Sequence, residues 1–318
     1  MATSFTTTNP INTDGASAVP GASNRALGLK LFSNEVIEAF MKKNIFLNLV
    51  TTRTISGGVS SQFIVTGKVA DTDVASHTPG ADVAATVFKS NERVISITDR
   101  YYYSSFLDKL DEKLAQYEIR GPLAKQHAEA LSTKIDKAVA LEVADAAVNG
   151  TGVADQDTGT TITLTGYAAA ATVEAKGDLI VEGLFSANSA FNAIDVPMEG
   201  RVFVTTPAAY AQVVQSQKAV NRDFTNGNGG IDSGNVLNIA GTPILWSNHL
   251  PIGATGIDDT SKLLGLFFTP GCVGVVKAMD ITSESNYLPE KLGDLLTSYY
   301  ALGMGLLNPA CACAVFSD

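Results

Sequence analysis

Three histidines, three cysteines and one knot of carboxylates are the groups in this 318-residue chain with chemistry to offer. His77, His127 and His249 stand in no His-Glu-x-x-His pattern, and none has a Cys or His partner at metal-ligand spacing. His77 falls in a polar stretch, His127 on a helical run and His249 in a turn, so no metal site is expected. Cys311 and Cys313 would share one face of a strand, but two thiolates do not close a zinc site. With Cys272 they read as small buried hydrophobes, reduced rather than paired. Asp155, Gln156, Asp157 and Gly159 resemble the start of a calcium loop, yet the twelfth position holds Gly166 instead of Glu and the match fails. The glycines at 226–230 and at 303 and 305 do not sit between a strand and a helix, as a phosphate cradle requires. There is no Walker-type loop and no nucleophile elbow. Asn149-Gly150-Thr151 would be a glycosylation acceptor only on a secretory route. No cofactor is expected.

The carboxylates Asp108, Asp111, Glu112 and Glu118 gather just ahead of a long helical run. They admit three readings: a catalytic pair, a solvated acidic face, or a docking patch. The third agrees best with the segment upstream, where Arg53, Lys68, Lys89, Arg93 and Arg100 are spread over residues 51–103. A basic hairpin of one chain would meet the acidic patch of its neighbour. Exposed ion pairs contribute only ~0.2–1 kcal/mol each. Repeated over a closed assembly they suffice, because each ~1.4 kcal/mol is tenfold in affinity.

Composition narrows the classes. With 45% apolar residues the chain can bury a sizeable core and is not a disordered protein. The formal net charge of −10 argues against gripping nucleic acid, which needs clustered Lys and Arg. The acidity serves solubility, or repels DNA from a surface. No apolar run reaches the ~18 residues of a membrane span. The opening MATSFTTTNPINTDG lacks the basic and apolar regions of a signal peptide. Work in a cytosol is the expectation.

The elements that would position these groups are legible in outline. Residues 1–28, rich in Thr, Ser, Asn and Gly, read as a flexible arm or a tail without a role. Ser33–Leu49 is a helix candidate capped by Ser33 or Asn34. Thr51–Ile55 and Val59–Thr66 read as strands, and Arg93–Tyr103 as another, rich in β-branched and aromatic residues. The last two would form a long hairpin around a polar tip of ~25 residues, longer than compact domains usually carry without purpose. A two-stranded ribbon is marginal alone in water, so it is expected to lie on something else, a second copy included. Phe106–Tyr117 reads as a short helix. A long helix follows from about Glu118 to Val148, with an apolar stripe of Ala124, Ala128, Leu131, Ile135, Ala138 and Val139, against a usual ~11–12 residues. Beyond residue 150, helix and strand alternate: TITLT, a helix over Val173–Ile194, RVFVTT, a helix opened by Thr206-Pro207, then strands at Pro243–Trp246, Leu263–Phe268 and Cys272–Lys277. The terminal run is apolar and strand-like.

That order of segments is similar to the HK-ninety-seven-type capsid fold, the shell fold of tailed double-stranded DNA phages. LKLFSNEVIEAF, TRTISGGVSSQFIVTGKVA with TPGADV, and ERVISITDRYYYSSFLDKLDEKLAQYEIR resemble the major capsid proteins of T-seven-like podophages. So do RVFVTTPAAYAQVV, GTPILWSNHLP and YYALGMGLLNPACACAVF. The resemblance runs from about Leu29 to Phe316. It implies an α+β fold with a flexible N-arm (1–28), an N-terminal helix (29–50), an extended E-loop hairpin (51–103), a peripheral domain with the spine helix (104–149) and an axial domain (150–280). Residues 281–318 would return to the peripheral-domain sheet. It implies self-assembly as hexamers and pentamers into an icosahedral shell, made in the host bacterial cytoplasm and kept in the virion. Scaffolding and portal proteins would be partners, a decoration protein an optional one. DNA would be enclosed without sequence-specific binding, and no membrane would be involved. No catalytic residue and no cross-linking pair carries over. The alternatives are an α/β enzyme with its site in residues 150–280, and a surface-layer lattice, which would need an export signal.

Overall fold

The computed structural model describes residues 45–67, 74–77, 79–80, 82–83, 90–97, 100–115, 120–152, 156–216, 229–230, 235–236, 238–254, 257 and 260–318. The expected arm, most of the Ser33–Leu49 helix, most of the polar tip and residues 226–228 of the expected loop lie outside these residues. Of that first helix, Phe46–Leu49 forms a single 3-10 turn.

In chain order the strands are β1 (Thr51–Thr54), β2 (Ser60–Thr66), β3 (Ser90–Ser96), β4 (Arg100–Asp108), β5 (Thr160–Leu164), β6 (Val202–Thr205), the two-residue pairs β7 (Gly229–Gly230), β8 (Asn235–Val236) and β9 (Asn238–Ile239), then β10 (Thr242–Trp246), β11 (Leu263–Phe268), β12 (Val273–Leu288), β13 (Gly293–Leu306) and β14 (Ala312–Ser317). The helices are α1 (Lys109–Leu114), α2 (Arg120–Val148), α3 (Val173–Ala193) and α4 (Pro207–Gln215). α2 has 29 residues, about 44 Å at 1.5 Å per residue.

The chain divides into two compact units. The first takes residues 99–134 and 279–302 among those described. Here β4 runs antiparallel to β13, from Asp108 opposite Gly293 to Arg100 opposite Ala301. Tyr101 stacks on Tyr300 at 5.4 Å between centroids. Tyr103 meets the His127 ring edge-on at 4.6 Å. Asp108 caps α1, its carboxylate accepting from the Leu110 N–H at 2.7 Å, which satisfies one of the orphan amides of the first turn.

The second unit holds 45–97, 135–278 and 303–318. Its centre is a six-stranded sheet in the order β5-β14-β11-β6-β10-β9. β6 is parallel to β10 and antiparallel to β11, and β14 is parallel to β5. The run VFVT of β6 buries all four side chains, and LLGLFF of β11 nearly all. That is what continuous apolar runs do when both faces are covered. α3 turns Ile180, Leu184, Ala187 and Phe191 inward at helical spacing, and Phe191 rests on Phe267 at 4.8 Å. Both helices start where the chain offers a cap. The Thr172 Oγ1 accepts from Ala175 and the Thr206 Oγ1 from Ala209, each at 3.2 Å, with Pro207 in the first turn where its missing N–H costs nothing. β2 and β3 form a separate antiparallel pair in register from Ser60 opposite Ser96 to Thr66 opposite Ser90.

Three sequence expectations are corrected. Arg93–Tyr103 is not one strand: β3 ends at Ser96 with the hairpin, and a new strand starts at Arg100 paired to β13. β-branched residues before the break give way to tyrosines after it, and both favour strands; the partner changes. Phe106–Asp108 ends β4 rather than starting a helix, because each residue has a partner on β13. The closing stretch 281–318 serves two sheets. β13 pairs with β4, whereas β14 inserts between β5 and β11.

Candidate assembly surface

Period-two alternation splits the hairpin into two unlike faces. On one, Ser61, Phe63 and Val65 of β2 are buried, and Ile95 of β3 joins Phe63 and Val276 in a small core edged by Ile55, Ile97 and Leu307. On the other, Gln62 lies opposite Val94 and Ile64 opposite Glu92. Ile64 is 82% exposed and Val94 52%, with Val59 at 71% just before β2. Among Ser60, Gln62, Thr66, Ser90, Glu92 and Ser96 on that face, Ile64 and Val94 are aliphatic side chains left in water.

Of the basic residues foreseen for docking, Arg53, Arg93 and Arg100 have contacts within their own chain. Arg53 Nη1 donates to the Gln62 carbonyl at 2.8 Å and the Ser61 hydroxyl at 3.2 Å. Its guanidinium lies 4.3 Å over the Phe63 ring. Arg93 Nη2 donates to the Thr151 carbonyl at 2.7 Å. In the first unit Arg100 faces the Tyr299 ring at 5.6 Å. Lys68, Lys89 and Glu118 lie outside the described residues.

The acidic group is brought together around α1, but not as an open patch. Asp108 is spent on the helix cap, and the Asp111 carbonyl accepts from Ala115 at 2.9 Å. Glu112 is gripped by Arg120 in two parallel bonds of 2.5 and 3.0 Å, and Arg120 also bonds Asp294. The hydrogen bond from Arg120 holds the Glu112 carboxyl below the usual carboxylate range, and the two acids raise the guanidinium in turn.

Sequence reasoning missed Arg120 and Asp294, which no spacing rule links to Glu112. It also missed the most buried ionisable pair of the second unit. Asp136 is fully buried on α2 and bonds His249 Nδ1 at 2.6 Å. The same carboxylate accepts from the backbone N–H of Leu47 at 3.2 Å and Ile45 at 3.4 Å. A clue was present: Asp136 interrupts the apolar stripe between Ile135 and Val139, and an acid there must be matched. His127, on the helical run as expected, is buried, with Nε2 2.9 Å from the Ser105 hydroxyl; burial pushes its pKa down. Ala124 of the expected stripe is exposed instead.

The remaining chemistry is quiet. All three cysteines are free and buried. Burial raises the Cys272 thiol and pushes Cys313 up to about 12, so neither offers a thiolate near neutrality. Among the described residues no three His, Cys, Asp or Glu side chains gather as a metal site.

Comparison with known proteins places this architecture. The family model of the Gp10A-like major capsid proteins matches residues 62–316. The chain is 28% identical over 337 residues to the major capsid protein of Escherichia phage T7, covering 95% of this chain and 94% of that protein. It is 26% identical over 339 residues to the major capsid protein of Enterobacteria phage T3, covering 96% and 95%. Among solved structures it is similar to the capsid of the cyanophage P-SCSP1u, with a TM-score of 0.80 and 32% identity over 94% of this chain and 95% of that one. The mature capsid of bacteriophage PhiM1 has the same fold, with a TM-score of 0.78 and 18% identity over 91% and 92%. The fold is therefore the HK-ninety-seven-type capsid fold expected from the order of segments. The relatives are structural shell proteins, which leaves the enzyme reading of residues 150–280 without support. The chain belongs to the Gp10A-like major capsid protein family, the non-enzymatic subunits from which tailed-phage virion capsids are built.

Proposed function

We propose that copies of this chain assemble as hexamers and pentamers into an icosahedral shell around double-stranded DNA. Assembly takes place in the host bacterial cytoplasm, with a scaffolding protein and a portal as partners and a decoration protein as an optional addition. The observation that supports this reading most is the outer face of the hairpin, where Ile64 and Val94 stand in water on a ribbon whose other face is already covered. Burying an isoleucine or valine side chain stabilises by about 1.5–3 kcal/mol, and identical chains can supply that cover to one another in a closed ring. The net charge of −10 accords with a wall that lets packaged DNA slide rather than stick.

The charged residues refine the reading. Contacts between Arg53, Lys68, Lys89, Arg93 or Arg100 of one subunit and Asp108, Asp111, Glu112 or Glu118 of another remain part of the proposal. Arg53 and Glu112 already have partners in their own chain, so pairing across subunits would share those groups.

Co-expression with the scaffolding protein, followed by sedimentation and negative-stain microscopy, tests the whole. Closed particles of one diameter are expected, and a small discrete oligomer under every condition would overturn it. Arg53→Glu and Arg93→Glu should impair assembly while the subunit stays folded. Normal shells from both would remove the docking contacts from the account.

A further inference from the structure

The root of the hairpin sits on a floor of glycine. Ile95, 3% exposed, packs onto β12 and β13 at Gly274 and Gly305. A Cβ at Gly274 or Gly305 would lie 3.0 Å from the Ile95 side chain, close to the limit of contact. At Gly303 it would lie 2.4 Å from the carbonyl oxygen of Ser96, the last residue of β3, and 3.3 Å from Ile97. Side chains other than glycine do not tolerate that distance from backbone, so the hairpin approaches this closely because Gly303 has no side chain. Two further anchors hold the same root, Arg53 over Phe63 and Arg93 on Thr151. They act on different strands from different parts of the second unit.

We infer that the angle at which the hairpin leaves its subunit is fixed by this seat before assembly, and that the seat thereby sets the curvature of the shell. This rests on the shell-building reading above. Close-packed contacts of this kind shift between discrete arrangements rather than bending continuously. Leverage makes small changes count: a tilt of about 5° at the root moves the far end of a seven-residue strand by roughly 2 Å at ~3.3 Å per residue.

Two substitutions disturb the seat in opposite senses. Gly303→Ala overfills it and Ile95→Ala empties it. Hydrogen exchange on the unassembled subunit reads the seat itself. Peptides over residues 60–66 and 90–97 should exchange about tenfold faster or more in both variants, while 202–205 and 263–268 keep the rate of the parent chain. On assembly, both variants should give open sheets or closed particles of altered diameter. Unchanged hairpin exchange in both would overturn the seat. Changed exchange with particles of the parent diameter would overturn its control of curvature. Gly305→Ala, whose contacts end on the movable Ile95 side chain, should show a smaller effect of the same sign and decides the matter if Gly303→Ala does not fold. Should the parent chain form no shells at all, the shell-building reading fails while the exchange data still judge the seat.

Discussion

The six-stranded sheet is built of continuous apolar runs and the β2–β3 hairpin of mixed polar and β-branched strands, and they end in different conditions. β6 buries every side chain, whereas β2 alternates buried and exposed with a large aliphatic group on the open side. A strand covered on both faces has all its partners in its own chain. A strand covered on one face, with Ile64 on the other, is specified in part by a partner it meets later. The chain therefore carries two kinds of information, one for folding and one for association, and the hairpin holds both on opposite sides of two strands.

Perturbations should separate the two kinds, and the largest effects belong to the fully covered region. Asp136→Ala leaves buried His249 and the amides of Ile45 and Leu47 without their acceptor. Loss of one partner from such a pair costs about 3–5 kcal/mol, to be read from chemical denaturation of the subunit. Phe267→Ala, beneath Phe191, should cost a similar ~3–5 kcal/mol, with an extra ~0.5–1.5 kcal/mol of coupling to Phe191 in a double-mutant cycle.

The next effect depends on pH. His127 has its folded pKa lowered from the ordinary 6.5 by burial, so the unfolded chain binds the proton more readily. Stability from this site is complete above about pH 6.5 and is lost as the pH falls through that value. His127→Asn should flatten the slope of stability between pH 7 and 5; an unchanged slope would mean that this ring does not set it. Glu112→Gln breaks a half-exposed pair with Arg120 and should cost no more than ~1 kcal/mol. Ile64→Ser should change subunit stability by less than about 0.5 kcal/mol yet sharply lower the yield of closed particles. A stability loss as large as that of Phe267→Ala would erase the contrast between the two regions.

How much of this was legible follows the same division. The second unit could be read from the chain because its signals are local: Thr172 and Thr206-Pro207 mark helix starts, and VFVT and LLGLFF mark covered strands. The break between Ser96 and Arg100 was hidden, since strand formers stand on either side, β-branched before and aromatic after, while the pairing partner changes. The acidic knot was found, but its partners within the chain were not. Glu112 reads as an open carboxylate until Arg120 and Asp294, the latter far along the chain, are seen to close on it. Asp136 with His249 joins residues separated by 113 positions, a match that no periodicity encodes. The exposed face of the hairpin was not read from the sequence, which gave only the expectation that a two-stranded ribbon must lie on something else.

The sealed thiols carry a consequence for the finished particle. With Cys272, Cys311 and Cys313 all buried and free, the thiols are shielded from oxidants and reductants in the surroundings. None of these cysteines offers a surface thiol through which a disulfide could form between copies of the chain.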